Sequence, residues 1–182
     1  MFSELLARIG RTLDEAGVTY MVIGGQAVLV HGEPRLTADV DVTLGAGLDR
    51  LEEVVALTRV MGLEALVDPE SFTRETMVLP CQDPATEIRV DLILSTSPYE
   101  QEALGRVRTV SLEGHPVRFA SAEDLLIHKL IAGRPRDLED ARGVLLKNCD
   151  VDLELVRRWL REYGTALDLP LVERLEELRD PE

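Results

Sequence analysis

The chain has 182 residues with 20 Lys+Arg against 34 Asp+Glu, a formal charge of −14, and 45% of its residues are hydrophobic. That is enough for a sizeable core in one ordinary domain or two small ones, and the composition is not that of a disordered, collagenous or disulfide-framed chain. The acidic balance argues against general DNA binding, which draws its energy from many cations neutralising phosphates. Apolar runs such as Val18 to Ala27 fall far short of the ~20 residues that span a bilayer, so no membrane crossing is expected. Met1 to Ala16 lacks a basic segment, apolar stretch and cleavage site, which reads as a cytoplasmic start. Cys81 and Cys149 sit in no metal-binding or redox spacing and are expected as buried, reduced thiols.

In chain order, Leu5, Leu6, Ile9, Leu13 and Ala16 recur at helical spacing after Ser3 as N-cap, with Gly17 as the residue past the end. Val18 to Ile23 is β-branched and apolar, stops at Gly24-Gly25, and leads into a short helix over Gln26 to His31. Ala38 to Leu44 alternates carboxylates with valines, which is strand periodicity. Leu48 to Leu57 forms an amphipathic helix that stops at Gly62, and Leu63 to Val67 a short strand. Met77 to Cys81 and Glu87 to Leu94 read as strands across a Gln82-Asp83-Pro84 turn, with Val107 to Leu112 and Val117 to Ala120 as further strands. From Ser121, which with Asp124 matches a capping pattern, the chain becomes helical: a helix to about Ala132, then Asp137 to Leu146, Asp152 to Tyr163 and Pro170 to Leu178. The expected fold is α+β: a mixed sheet flanked by helices over about 1–120, and a helical C-terminal domain over about 121–182.

Chemistry concentrates at two places. A strand that runs into Gly24-Gly25 at a helix N-terminus lets backbone N–H groups approach phosphate oxygens; the competing reading is a turn that needs glycine dihedrals. Asp39 and Asp41, roughly 6.5–7 Å apart on one face of a strand, present two carboxylates to one region, a spacing that suits magnesium. Side by side they repel and raise each other's pKa unless a cation offsets them. Asp91, alternating with Val90 and Leu92, is a candidate third carboxylate if its strand neighbours that of Asp39. An ion pair with Arg89 is the competing account of Asp91. Lys129, Arg134, Arg136, Arg142 and Lys147 make the densest basic stretch, either a phosphate-facing patch or partners for Asp137, Glu139 and Asp140. His31, His115 and His128 have no zinc spacing and are expected at the surface or hydrogen-bonded. Trp159, Leu155, Val156 and Leu160 are expected in the core.

Ile23 to Ala27, His31-Gly32 and the run Arg35-Leu36-Thr37-Ala38-Asp39-Val40-Asp41 together resemble the signature of the DNA polymerase β-like nucleotidyltransferase superfamily. Within it the chain is similar to the small bacterial nucleotidyltransferases grouped with abortive-infection and toxin-antitoxin systems. Ser121 to Leu130 and Gly133 to Asp140 resemble that group's helix lysine followed by Arg/Lys-Asp-x-x-Asp. The resemblance implies a nucleotidyltransferase that moves NMP from an NTP such as ATP to an acceptor hydroxyl, with release of pyrophosphate. The acceptor would be a tRNA, a partner protein or a small molecule, and a cognate toxin or antitoxin is the implied partner. Asp39, Asp41 and Asp91 would bind Mg2+ or Mn2+, with Asp91 also helping to activate the acceptor. Gly24, Gly25, Arg35, Thr37, Lys129, Arg134 and Asp137 would bind the nucleotide, Lys129 reaching the triphosphate and Asp137 either touching substrate or orienting Lys129 or Arg134. Position 25 is glycine where many members of the superfamily carry serine. Two rivals stand beside this: a non-catalytic nucleotide- or partner-binding module, and a metal-dependent nuclease.

Overall fold

A computed structural model describes residues 1–179. Its centre is a seven-stranded mixed sheet of order β3-β4-β5-β2-β1-β7-β6 among the described residues. The strands are β1 (Tyr20–Ile23), β2 (Asp39–Leu44), β3 (Glu64–Ala65), β4 (Val78–Gln82), β5 (Arg89–Leu94), β6 (Arg108–Leu112) and β7 (His115–Phe119). The strands that carry chemistry lie in the middle of this order. β2 is antiparallel to β1 and parallel to β5, while β4 pairs antiparallel with β5.

The alternation in β2 and β5 explains why they are central. Val40, Val42, Val90 and Leu92 are fully buried on one face, leaving Asp39, Asp41, Arg89 and Asp91 on the other. Helix α1 (Phe2–Glu15) starts at Met1 rather than at a Ser3 cap, and it buries Leu5, Leu6, Ile9 and Leu13. Gly17 and Gly62, both left-handed, follow α1 and α3 (Leu51–Val60) as the sequence requires. Helix α2 (Gly24–His31) begins two residues earlier than the sequence suggests, at the first glycine.

Two helices are not foreseen from periodicity: α4 (Pro69–Thr76) and α5 (Pro98–Leu104). Each is too short to repeat an apolar stripe, and each is instead started by a capping side chain and a proline in its first turn. Asp68 accepts from the backbone N–H of Ser71, and Ser97 from that of Glu100. The helices α6 (Ala122–Ala132), α7 (Pro135–Lys147), α8 (Leu153–Leu167) and α9 (Leu171–Arg179) follow β7. Ser121 caps α6 by accepting from Asp124 N–H, and Gly133 ends it in the left-handed region. Val156, Trp159 and Leu160 join the same hydrophobic core as the sheet residues.

Two side-chain expectations are corrected. Cys81 is buried, and burial first and Asp91 second push its thiol up to about 12, but Cys149 is exposed, in the connection between α7 and α8 where no core reaches it. His31 and His115 are hydrogen-bonded, to Ala120 O and Asp14, whereas the buried Nδ1 of His128 has no partner among the described residues and its ring packs edge-on against Tyr99.

Candidate active site

Register brings the carboxylates together. In the parallel β2/β5 pair Asp41 lies directly opposite Asp91, and Asp39 opposite Arg89. In the antiparallel β1/β2 pair Ile23 lies opposite Asp41, so the residue after the strand, Gly24, arrives against the Asp41 carboxylate. Gly24 has φ +62°, and a Cβ there would come 3.0 Å from Asp41 Cγ and closer to Oδ2. Only glycine meets both demands. The glycine turn, the N-terminus of α2 and the central acid of the trio therefore form one unit.

Asp41 is the group under most stress. Burial first, then the Asp39 and Asp91 charges, raise its carboxyl from an ordinary 3.8 to about 6, against the opposing pull of Lys129 and Arg89. Oxygen donors in an under-neutralised cluster fit a hard divalent cation. Among the described residues, though, no three His, Cys, Asp or Glu side chains stand close enough to form a ready-made ion-binding group. Arg89 also donates from Nε to Asp91 Oδ1 at 2.9 Å, so the ion pair weighed as the competing account of Asp91 is present. Pairing with Asp91 holds the Arg89 guanidinium pKa above its usual value.

Across a cleft of about 690 Å³ from Gly24, Asp39 and Asp41 stands a wall supplied by the end of α6, the start of α7 and the loop before β2. Lys129 is buried, and its Nζ lies 2.8 Å from Asp137 Oδ1 and 2.8 Å from Asp140 Oδ2. Arg35 grips the other side of Asp140 as a fork, Nε and Nη2 donating at 2.7 and 2.9 Å. Arg134 Nε donates to Asp137 Oδ2 at 2.5 Å. Burial acts to raise Asp137 and Asp140, but the Arg134, Arg35 and Lys129 hydrogen bonds outweigh it and hold both carboxyls below their usual range. Asp137 thus orients Lys129 and Arg134 at once. Asp140, in sequence a possible ion-pair partner and the last residue of the Asp-x-x-Asp run, is the hub that ties α7 to the loop before β2. Its spacing from Asp137, one helical turn, puts both acids on one side of α7.

Arg136 is the second residue that the sequence left undecided. It lines the same cleft, and among the described residues its hydrogen bond is to Leu36 O, at 3.0 Å, rather than to a carboxylate. Arg35 Nη1 donates to the same carbonyl at 3.1 Å. Leu36 itself lines the cleft with 92% of its surface exposed, and two arginines hold its backbone carbonyl. Thr37 Oγ1 donates to Asp39 Oδ1 at 3.2 Å. Lys147 and Arg142 lie away from the cleft: Lys147 pairs with Glu33, and Arg142 lines a separate depression beside Cys149.

A mixed sheet with a glycine turn beside two strand carboxylates, a third acid on the parallel neighbour and a lysine-bearing helical wall is built on the nucleotidyltransferase fold. The solved structures that this chain resembles have that fold. They include the solution structure of the antibiotic-resistance factor ANT(2'')-Ia (17% identity, 91% of this chain and 94% of that one covered, TM-score 0.61). ANT(2'')-Ia in complex with adenylyl-2''-tobramycin aligns at 18% identity over 88% and 97% of the two chains, with a TM-score of 0.62. An antigenic nucleotidyltransferase-like protein from Paracoccidioides brasiliensis aligns at 17% identity over 96% and 91%, with a TM-score of 0.58. No curated protein matches. The chain belongs to the family of nucleotidyltransferases of unknown function DUF6036, which matches residues 2–174, and is an enzyme of that class. No helix among the described residues is long and apolar enough to cross a membrane.

Proposed function

We propose that the protein transfers a nucleoside monophosphate from an NTP to an acceptor hydroxyl in a reaction that depends on a divalent metal, with release of pyrophosphate. The observation that carries this is the Asp39–Asp41 pair beside Gly24, facing a cationic wall across one cleft, with Asp91 opposite Asp41 on the neighbouring strand and outside the cleft lining. Phosphoryl transfer needs little beyond positioning and charge neutralisation, and those are what these groups supply.

Gly24 and Gly25 open α2 and line the cleft, where the helix N-terminus favours phosphate. Arg136, which among the described residues pairs with no carboxylate, is the cation best placed to meet the triphosphate, and Lys129, Arg134 and Arg35 line the same cleft. Leu36 offers the nucleobase an apolar surface. Asp39, Asp41 and Asp91 would hold Mg2+ or Mn2+, which when bound neutralises charge on the reacting phosphate. Asp91 accepts the acceptor hydroxyl proton. The acceptor is a tRNA end, a protein hydroxyl or a small molecule.

The test is label transfer from each of four α-labelled NTPs, with magnesium or manganese, into RNA, protein and small-molecule fractions. Label in one fraction names the acceptor class, and its loss in Asp39→Ala ties the transfer to the carboxylates. The Arg89–Asp91 ion pair must open for Asp91 to take a proton. Undiminished NTP binding without label in any fraction would contradict the proposed transfer.

A further inference from the structure

We propose that Arg89 selects the acceptor: the acceptor carries an acidic group beside its reacting hydroxyl, and that group takes the Arg89 guanidinium and so frees Asp91. The inference rests on the transfer reading above and deepens it by naming the acceptor's chemistry.

Arg89 and Asp91 share one face of β5, two positions apart, and the antiparallel neighbour sets what lies beside them. Gln82 stands opposite Arg89, Pro80 opposite Asp91 and Val78 opposite Ile93, and residues directly opposite in a strand pair share a face. On that face of β4 and β5 the charged residues are therefore Arg89 and Asp91 and no others. Gln82 gives Arg89 no carboxylate, and its amide nitrogen donates to Glu87 O. Neither Arg89 nor Asp91 lines the cleft that holds Asp39, Asp41 and the cationic wall. With the strand order β4-β5-β2-β1, they lie on the side of Asp41 away from the glycine turn. An NTP in the cleft thus leaves this strip of sheet to the acceptor.

The strip is balanced only while its two charges hold each other. Arg89 Nε donates to Asp91 Oδ1 at 2.9 Å, and the Arg89 side chain is 56% exposed against 19% for Asp91, so the guanidinium is the member of the pair that a ligand meets first. Two cations pull on Asp41, Lys129 and Arg89, and Lys129 is already held between Asp137 and Asp140. Among the described residues, Arg89 alone touches a strand carboxylate of the site. In the transfer, the acceptor oxygen bonds to the α-phosphorus, the bond to pyrophosphate breaks and the hydroxyl proton passes to Asp91. A guanidinium on Asp91 opposes that proton, because the pair favours the charged carboxylate. Once the proton arrives, Asp91 is neutral and Arg89 has lost its counter-charge. An acidic group on the acceptor replaces it, since the planar fork holds a phosphate or a carboxylate at two points. An amine-bearing acceptor would set a second cation there instead, and the strip would reject it.

The test uses the protein with its cleft filled by the tightest-binding non-hydrolysable NTP analogue in magnesium, and a matched set of alcohols as probes: glycerol 3-phosphate, glycerate, glycerol and 3-amino-1,2-propanediol. Affinity for each is read by NMR titration on wild type, Arg89→Gln and Arg89→Lys. In wild type, glycerol 3-phosphate or glycerate should bind about 10-fold or more tighter than glycerol, the scale of a charge-assisted hydrogen bond, with the amine weakest. Whichever anion leads identifies the acidic group. Arg89→Gln should bring all the probes to within about twofold of one another, while Arg89→Lys should keep their order with a smaller lead, a point charge replacing the fork. If wild type binds the analogue but binds neither anionic probe better than glycerol, or if Arg89→Gln keeps the lead, the acceptor inference is overturned and the transfer reading survives. If wild type binds no analogue, both fall.

Discussion

Asp41 and Asp91 stand directly opposite each other on parallel neighbouring strands, and the Asp41 carboxyl is pushed up to about 6 as a result of its burial and the two acids beside it. A carboxyl whose folded pKa lies above its unfolded value binds its proton more tightly in the folded protein. Its cost is absent in acid, appears as pH rises from about 4 through 6, and is constant above. In EDTA, Asp41→Asn should therefore match wild-type stability near pH 4 and exceed it at pH 7.5 by up to about 3 kcal/mol, since each pKa step is worth ~1.4 kcal/mol. Denaturant unfolding across that range checks it. A variant less stable than wild type at pH 7.5 would contradict the crowded-carboxylate account.

Magnesium should act on the same term. Above pH 6, millimolar Mg2+ should raise the wild-type thermal midpoint, by mass action on an ion bound only to the folded state, and should leave Asp41→Asn and Asp39→Ala unmoved. Calorimetric scans with and without the ion read this directly.

Lys129 lies buried between Asp137 and Asp140. Removing its charge with Lys129→Met leaves two acids facing each other near the cleft, and should cost about 3–5 kcal/mol in stability as well as nucleotide affinity. Asp140→Asn should be milder in stability but should free Arg35, loosening the loop that carries Leu36 and Thr37. Its signature is a raised KM for NTP with kcat reduced less, measured by steady-state kinetics.

Arg136, by contrast, is bound among the described residues through Leu36 O alone. Arg136→Gln should leave the thermal midpoint within about 2 °C and weaken NTP binding about 10–100-fold, the range of a charge-assisted hydrogen bond. The same variant should show a smaller loss of affinity when salt is raised, which titration at two ionic strengths detects.

The sheet centre and its acids were legible because period-two alternation forces Asp39, Asp41 and Asp91 to the face opposite Val40, Val42 and Val90. Glycine stops likewise located the ends of α1 and α3. Strand order was not legible: nothing local says that β5 lies beside β2, and that neighbourhood is what makes Asp91 part of the site. Helices α4 and α5 were hidden because two turns leave no periodicity to read, although Asp68-Pro69 and Ser97-Pro98 with Glu100 carry the start signal. The Lys129 clamp was half visible. The Asp-x-x-Asp spacing was there, but which of two aspartates and four cations pair depends on how α6, α7 and the loop before β2 pack, which is a tertiary fact.

The central claim is that the carboxylates catalyse attack at the α-phosphorus. The most direct measurement is to incubate the protein, magnesium and the acceptor fraction that takes label with α-labelled or γ-labelled NTP, and to follow both labels in wild type and Asp91→Asn. The account predicts α-label on the acceptor, γ-label in pyrophosphate, and loss of both in the variant by about 10²-fold or more, the scale of removing a general base. γ-Label appearing as inorganic phosphate or on the acceptor, or an Asp91→Asn protein as active as wild type, would contradict it.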